Sequence, residues 1–179
     1  DFGTIPAHSQ MYAQWWLTSS LLGHFTDYDV KATHLTSYGN PDLSLLGEVT
    51  IHELIRSLDV DAASGKMVGF MANDQVDAND MPDVLYLSNG EVQDVNEIES
   101  AEIQKTSDKT YTLTIKSEKS GWVYGNIKDP TYGRSNIQSV IRQRDGKEIS
   151  LRNFWQTDRT LRDGKEPLYE NRMHFADEF

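Results

Sequence analysis

Between Lys109 and Phe179 three tight hairpin signals follow one another, and they commit this chain to a sheet-built fold. Tyr111-Thr-Leu-Thr-Ile115 alternates, meets turn residues at Glu118-Lys-Ser-Gly121, and is expected to return as Trp122-Val-Tyr124. Ser139-Val-Ile-Arg-Gln143 turns at Asp145-Gly146 and returns as Glu148-Ile-Ser-Leu151. Thr160-Leu161 turns at Asp163-Gly164 and returns toward Leu168-Tyr169. An Asp-Gly pair between alternating segments favours a hairpin, because a type I′ turn needs positive φ, which glycine adopts without a Cβ clash. Two of the tips share Arg-Asp-Gly-Lys-Glu, at 144–148 and 162–166. That echo reads as similar turn chemistry, since a solenoid needs more units at a constant period.

Upstream, Leu58-Asp-Val60 and Lys66 to Phe70 flank Ala62-Ala-Ser-Gly65 as a fourth hairpin, and Val84-Leu-Tyr-Leu87 leads into a turn at Asn89-Gly90. Val30 to Tyr38 alternates loosely and is expected to be a strand, ended by Gly39-Asn40-Pro41. Glu48 to Arg56 fits either a strand or a short helix, and Glu91 to Gln104 reads as an acidic connecting strand. Ala72 to Asp83 is polar and is expected to be surface loop. From Ser9 a short helix competes with a strand: Met11, Trp15, Leu22 and Phe25 recur at helical spacing, while Trp15 to Thr18 is rich in β-formers. Together these give one mainly β domain over 1–179 with an irregular N-terminal arm at 1–9. Strands at roughly 8–12-residue spacing suit an antiparallel β-barrel or, alternatively, a β-sandwich.

Composition narrows the chemistry. Cysteine is absent, which removes disulfides, thiolate metal ligands and a thiol nucleophile. The net charge is −11, and it is uneven: residues 1–100 carry three basic residues (Lys31, Arg56, Lys66) against sixteen acidic ones. Such a surface repels a phosphate backbone, so nucleic acid is not an expected partner. No apolar run reaches the roughly 18 residues of a membrane span. The chain opens at Asp1, which fits a secreted or periplasmic mature form after signal cleavage, or a trimmed cytoplasmic one.

Gln14-Trp15-Trp16-Leu17-Thr18-Ser-Ser-Leu21 resembles the Glu-Trp-Trp-Tyr opening strand of the AttH-like and carotenoid-hydratase-like lipocalins, a secreted family that includes fungal cyclases. Leu161-Arg-Asp-Gly-Lys-Glu-Pro-Leu-Tyr169, followed by Arg172, resembles that family's later Leu-x-Asp-Gly-Arg-Glu-Leu hairpin. Gln14 stands where the family has an acidic residue, Pro167 interrupts the matched strand, and the family's second barrel has no counterpart in the chain. The resemblance implies a lipocalin-like, calycin-type barrel around a hydrophobic or aromatic small molecule. In an enzymatic version it implies a cofactor-free cyclase, isomerase or hydratase of an isoprenoid- or polyketide-like substrate.

Candidate site residues follow from side-chain chemistry. Trp15, Trp16, Trp122, Trp155 and Tyr169 bring apolar area with a polar edge, suited either to a cavity wall or to the core. None of His8, His24, His34, His52 and His174 has a short metal-ligand spacing. His34 and His52 fall in expected strands and are acid–base candidates together with Tyr124. Asp74, Asp77 and Asp80 offer oxygen ligands of the kind calcium prefers, without the EF-hand register. A non-catalytic interaction module using this acidic loop is the alternative to a ligand-binding barrel. A structural subunit pairing edge strands in a homo-oligomer is a third reading.

Overall fold

The computed structural model describes residues 2–7, 11–13, 30–34, 36, 38–62, 65–75, 81–158, 160–162, 166–168 and 170–179, with backbone only at 41, 160–162 and 166–168. Strands dominate these residues, and no α-helix occurs among them. The strands are β1 (Glu53–Ala62), β2 (Gly65–Asn73), β3 (Val84–Leu87), β4 (Val92–Glu97), β5 (Ser100–Lys105), β6 (Tyr111–Lys116) and β7 (Trp122–Lys128). They continue as β8 (Val140–Arg142), β9 (Lys147–Ile149), β10 (Phe154–Thr157), β11 (Thr160–Arg162), β12 (Glu166–Leu168) and β13 (Arg172–Glu178). Among the described residues no helix is long and apolar enough to cross a membrane.

Seven strands form one sheet in the order β1-β2-β3-β4-β7-β13-β10, curled strongly into a half-barrel. The hairpins β1–β2, β3–β4, β8–β9 and β11–β12 pair where the turn chemistry places them. At the β8–β9 tip Gly146 takes φ 71°, and Arg142 holds the Asp145 carboxylate beside it.

The expected pairing of Tyr111–Ile115 with Trp122–Tyr124 does not form. β6 pairs with β5 instead, Tyr111 opposite Lys105. β7 lies between β4 and β13, parallel to the first and antiparallel to the second. The reason is burial: Trp122, Val123, Tyr124 and Gly125 are all buried, so β7 needs cover on both faces, which a two-stranded ribbon lacks. A parallel neighbour requires a crossover of a dozen or more residues, and the β5–β6 hairpin supplies it. The sheet is therefore mixed rather than wholly antiparallel.

Other expectations shift as well. The described residues of Val30–Tyr38 form no strand, and β1 begins only at Glu53. Ala72 and Asn73, expected in a surface loop, close β2 and are buried, while Met81 packs against the core. Met11 to Ala13 are not helical, and the rest of the proposed N-terminal helix lies outside the described residues.

Alternation places Leu58, Val60, Met71, Leu85, Leu87, Val95, Trp122, Tyr124 and Ala176 in one buried cluster, with Met67, Met81 and Trp155 against it. Each fully buried Leu or Met in it contributes about 1.5–3 kcal/mol. On the same face the Arg56 guanidinium from β1 sits 4.9 Å over the Trp155 ring of β10, so strands from opposite edges meet there and the face is the concave one. Asn153 joins those edges further. Its carboxamide accepts from the Asp59 N–H at 2.8 Å and donates to the Asp59 carbonyl at 2.8 Å, standing in for a ladder partner of β1. Its own carbonyl accepts from the Ala176 N–H at 2.9 Å.

The reverse face of β7 and β13 is covered too. Gly125 lies under Phe175 and Ile98, where an added Cβ would stand 2.5 and 2.6 Å from their side-chain carbons. The segment after β7 crosses this face, with the Ile137 N–H donating to Gln156 at 3.0 Å and Arg142 pairing Asp177 at 2.9 Å.

Candidate binding site

Cross-strand register assembles one polar row inside the concave face. Trp155 stands opposite His174, and His174 opposite Asn126. Tyr124 lies two residues before Asn126 on the same face of β7, as Thr157 lies two after Trp155 on β10. The imidazole of His174, 5% exposed, has both nitrogens engaged: Nδ1 meets the Tyr124 hydroxyl at 2.8 Å and Nε2 meets the Thr157 hydroxyl at 2.8 Å. Its ring stacks on Trp155, centroids 5.1 Å apart and planes nearly parallel at 10°.

Further hydrogen bonds hold the groups around the ring. Arg172 donates to Asn126 Oδ1 through Nε at 2.8 Å, which turns the Asn126 amide nitrogen toward the Tyr124 oxygen at 3.4 Å. A neutral imidazole carries one ring N–H, so it donates to one of the Tyr124 and Thr157 hydroxyls and accepts from the other. Burial, followed by the nearby Arg172 and Arg56 charges, pushes the His174 pKa down to about 4. The ring is neutral at physiological pH, able to relay a hydrogen bond or accept a proton. Burial raises the Tyr124 phenol above its ordinary value, so it stays protonated. Arg172 is balanced by Glu170, which accepts from its Nη1 at 2.6 Å and also pairs Lys128.

At the end of β10 an open depression of about 450 Å³ is walled by polar groups from Asp129, Asn136, Gln156, Thr157, Asp158 and Asn171. Asp129 builds its loop. Its oxygens accept from the Thr131 N–H at 2.7 Å, the Gly133 N–H at 3.1 Å and the Gln156 amide at 2.8 Å. Burial alone would raise the Asp129 pKa, but these bonds outweigh it and hold the carboxyl below its usual range. The neighbouring Tyr132 takes φ 54°, a left-handed conformation that costs a non-glycine residue roughly 1–2 kcal/mol, and its ring is 73% exposed.

The sequence-derived candidates separate. Tyr124 belongs to the His174 row, Trp155 forms its aromatic wall, and Trp122 is buried in the core cluster. His34 is not in a strand; its Nδ1 accepts from the Leu45 N–H at 3.1 Å. His52, just before β1, sits elsewhere: its Nδ1 meets both Asp74 oxygens at 2.8 and 3.0 Å and its ring packs on Tyr86 at 4.3 Å. The Tyr86 hydroxyl also donates to Asp74. The Asp74 oxygens offered for calcium are thus committed to side-chain partners. Burial would raise the Asp74 carboxyl, but the Tyr86 and His52 bonds bring it below its usual pKa. Tyr86 is pushed up to about 12, by burial first and Asp74 second. Among the described residues no group of three or more His, Asp or Glu could hold a metal. Trp15, Trp16, Tyr169, Asp77 and Asp80 lie outside the described residues.

His174, Thr157, Asn126 and Arg172 were not assigned roles by sequence, because their partners stand 17 to 50 positions apart along the chain. The available signal was Arg172-Met-His-Phe-Ala176, a histidine inside an apolar strand. No family model, no curated protein and no solved structure matches the chain.

Proposed function

We propose that this protein is a lipocalin-like binding protein that holds a hydrophobic or aromatic small molecule against the Trp155 end of its concave face, without a cofactor. The observation that carries this reading is the convergence of Tyr124, His174 and Thr157 beside the Trp155 ring and the apolar core cluster. Apolar walls with a few placed hydrogen-bonding groups are the usual make-up of a small-molecule site. Met67, Met81 and the half-buried Trp155 border that surface, and unbranched methionine side chains reshape readily around a ligand. In a catalytic version, confinement would hold a substrate in its reactive shape, and neutral His174 with Tyr124 would move a proton, giving a lyase or isomerase.

The test is titration of the full chain with the neutral apolar fluorophore N-phenyl-1-naphthylamine, followed by energy transfer from tryptophan. Saturable transfer at micromolar concentration, lost in Trp155→Ala while the far-ultraviolet spectrum is kept, supports the reading. No saturable transfer in the native protein, or transfer unchanged in the variant, rejects it.

A further inference from the structure

We propose that the depression between the 129–136 loop and the end of β10 is a site for a neutral carbohydrate. It does not depend on the apolar-ligand reading, because Thr157 is the one lining residue it shares with the Tyr124–His174 row.

The lining decides the ligand class. Asn136, Asp158 and Asn171 bring hydrogen-bonding side chains to the wall, and an apolar molecule would leave them unpaired. Among the described residues no lysine or arginine lines it and two carboxylates do, and the chain carries −11 overall, which disfavours an anion. A chelated cation is disfavoured because the Asp129 oxygens already accept from Thr131, Gly133 and Gln156. A ligand that donates and accepts at many points, without charge, fits what remains. Among the described residues the side chains of Asn136, Asp158 and Asn171 make no hydrogen bond, and all three face the depression. The two amides each offer donors and an acceptor, and the Asp158 carboxylate accepts two vicinal hydroxyls.

The experiment uses the isotopically labelled full chain, titrated separately with maltotriose, cellotriose and triacetylchitotriose while the side-chain amide signals are followed by NMR. Saturable shifts of the Asn136, Gln156 and Asn171 amides with one of these sugars are the expected result. Asn136→Ala combined with Asp158→Ala, both exposed positions, should weaken that binding about tenfold or more with the remaining spectrum unchanged. The proposal is overturned if no sugar shifts these amides, if the shifts map elsewhere, or if the double variant binds equally well. It is equally overturned if calcium chloride or inorganic phosphate saturates the site and the sugars do not.

Discussion

Acid should destabilise this protein through His174 before it protonates any carboxylate, and the size of the effect follows from the fold. An unfolded histidine titrates near 6.5, whereas the folded ring, buried beside Arg172 and Arg56, titrates at about 4. Between those values the unfolded chain binds a proton that the folded chain refuses. Stability therefore falls as pH drops through 6.5, by up to about 1.4 kcal/mol per pH unit, and levels off below 4. The full gap amounts to about 3 kcal/mol, a large share of a typical domain's stability. Urea unfolding at several pH values between 7 and 4, followed by tryptophan emission, measures it against His174→Gln. Gln has no titrating group, so the variant should lose about 3 kcal/mol less over this range, whatever its stability at pH 7. Carboxylates depressed in the folded state, such as Asp129 and Asp74, add losses at lower pH that both proteins share. Parallel losses in the two proteins, or an NMR titration placing the His174 ring near 6.5, would refute the buried relay.

Three further outcomes test other parts of the fold. Asn153→Ala removes both bonds to the Asp59 backbone and should cost about 2 kcal/mol in urea unfolding; a change below roughly 0.5 kcal/mol would mean that β1 is held without it. Gly125→Ala forces a methyl group against Phe175 and Ile98, and should cost about 1–3 kcal/mol with a lower melting temperature. Tyr86→Phe removes a donor to Asp74, so the Asp74 carboxyl pKa should rise toward its ordinary value in a carbon-detected NMR titration; an unchanged value would show that His52 alone depresses it.

Local chemistry made much of the sheet readable. Asp145-Gly146 and Asn89-Gly90 announce their hairpins because the positive φ they require is a property of a few adjacent atoms. Alternation in Val84 to Leu87 likewise marks a strand with one buried face. The pairing of β7 was different in kind. Nothing next to Trp122 states that its neighbours will be Val95, 27 residues earlier, and Glu178, near the other end of the chain. That choice rests on burying both faces of one strand at once, a demand satisfied only when distant segments come together.

Tyr124 was a candidate by residue type, and Trp155 by its ring, but their joint meaning waited on His174, Thr157 and Asn126. The register of β7, β13 and β10 brings these side chains into one row, and burial of the imidazole there, ahead of the Arg172 and Arg56 charges, lowers its pKa. His34 bonds the Leu45 N–H while His52 meets Asp74 and packs on Tyr86, so the two histidines of the acidic half keep different partners. Sequence by itself determined that the chain would build hairpins and rely on no cysteine chemistry, because those follow from residue types and nearest neighbours. Only the tertiary structure decided which strands lie side by side and which polar groups share a buried face, because hydrogen bonds and desolvation act between atoms close in space, however far apart they lie along the chain.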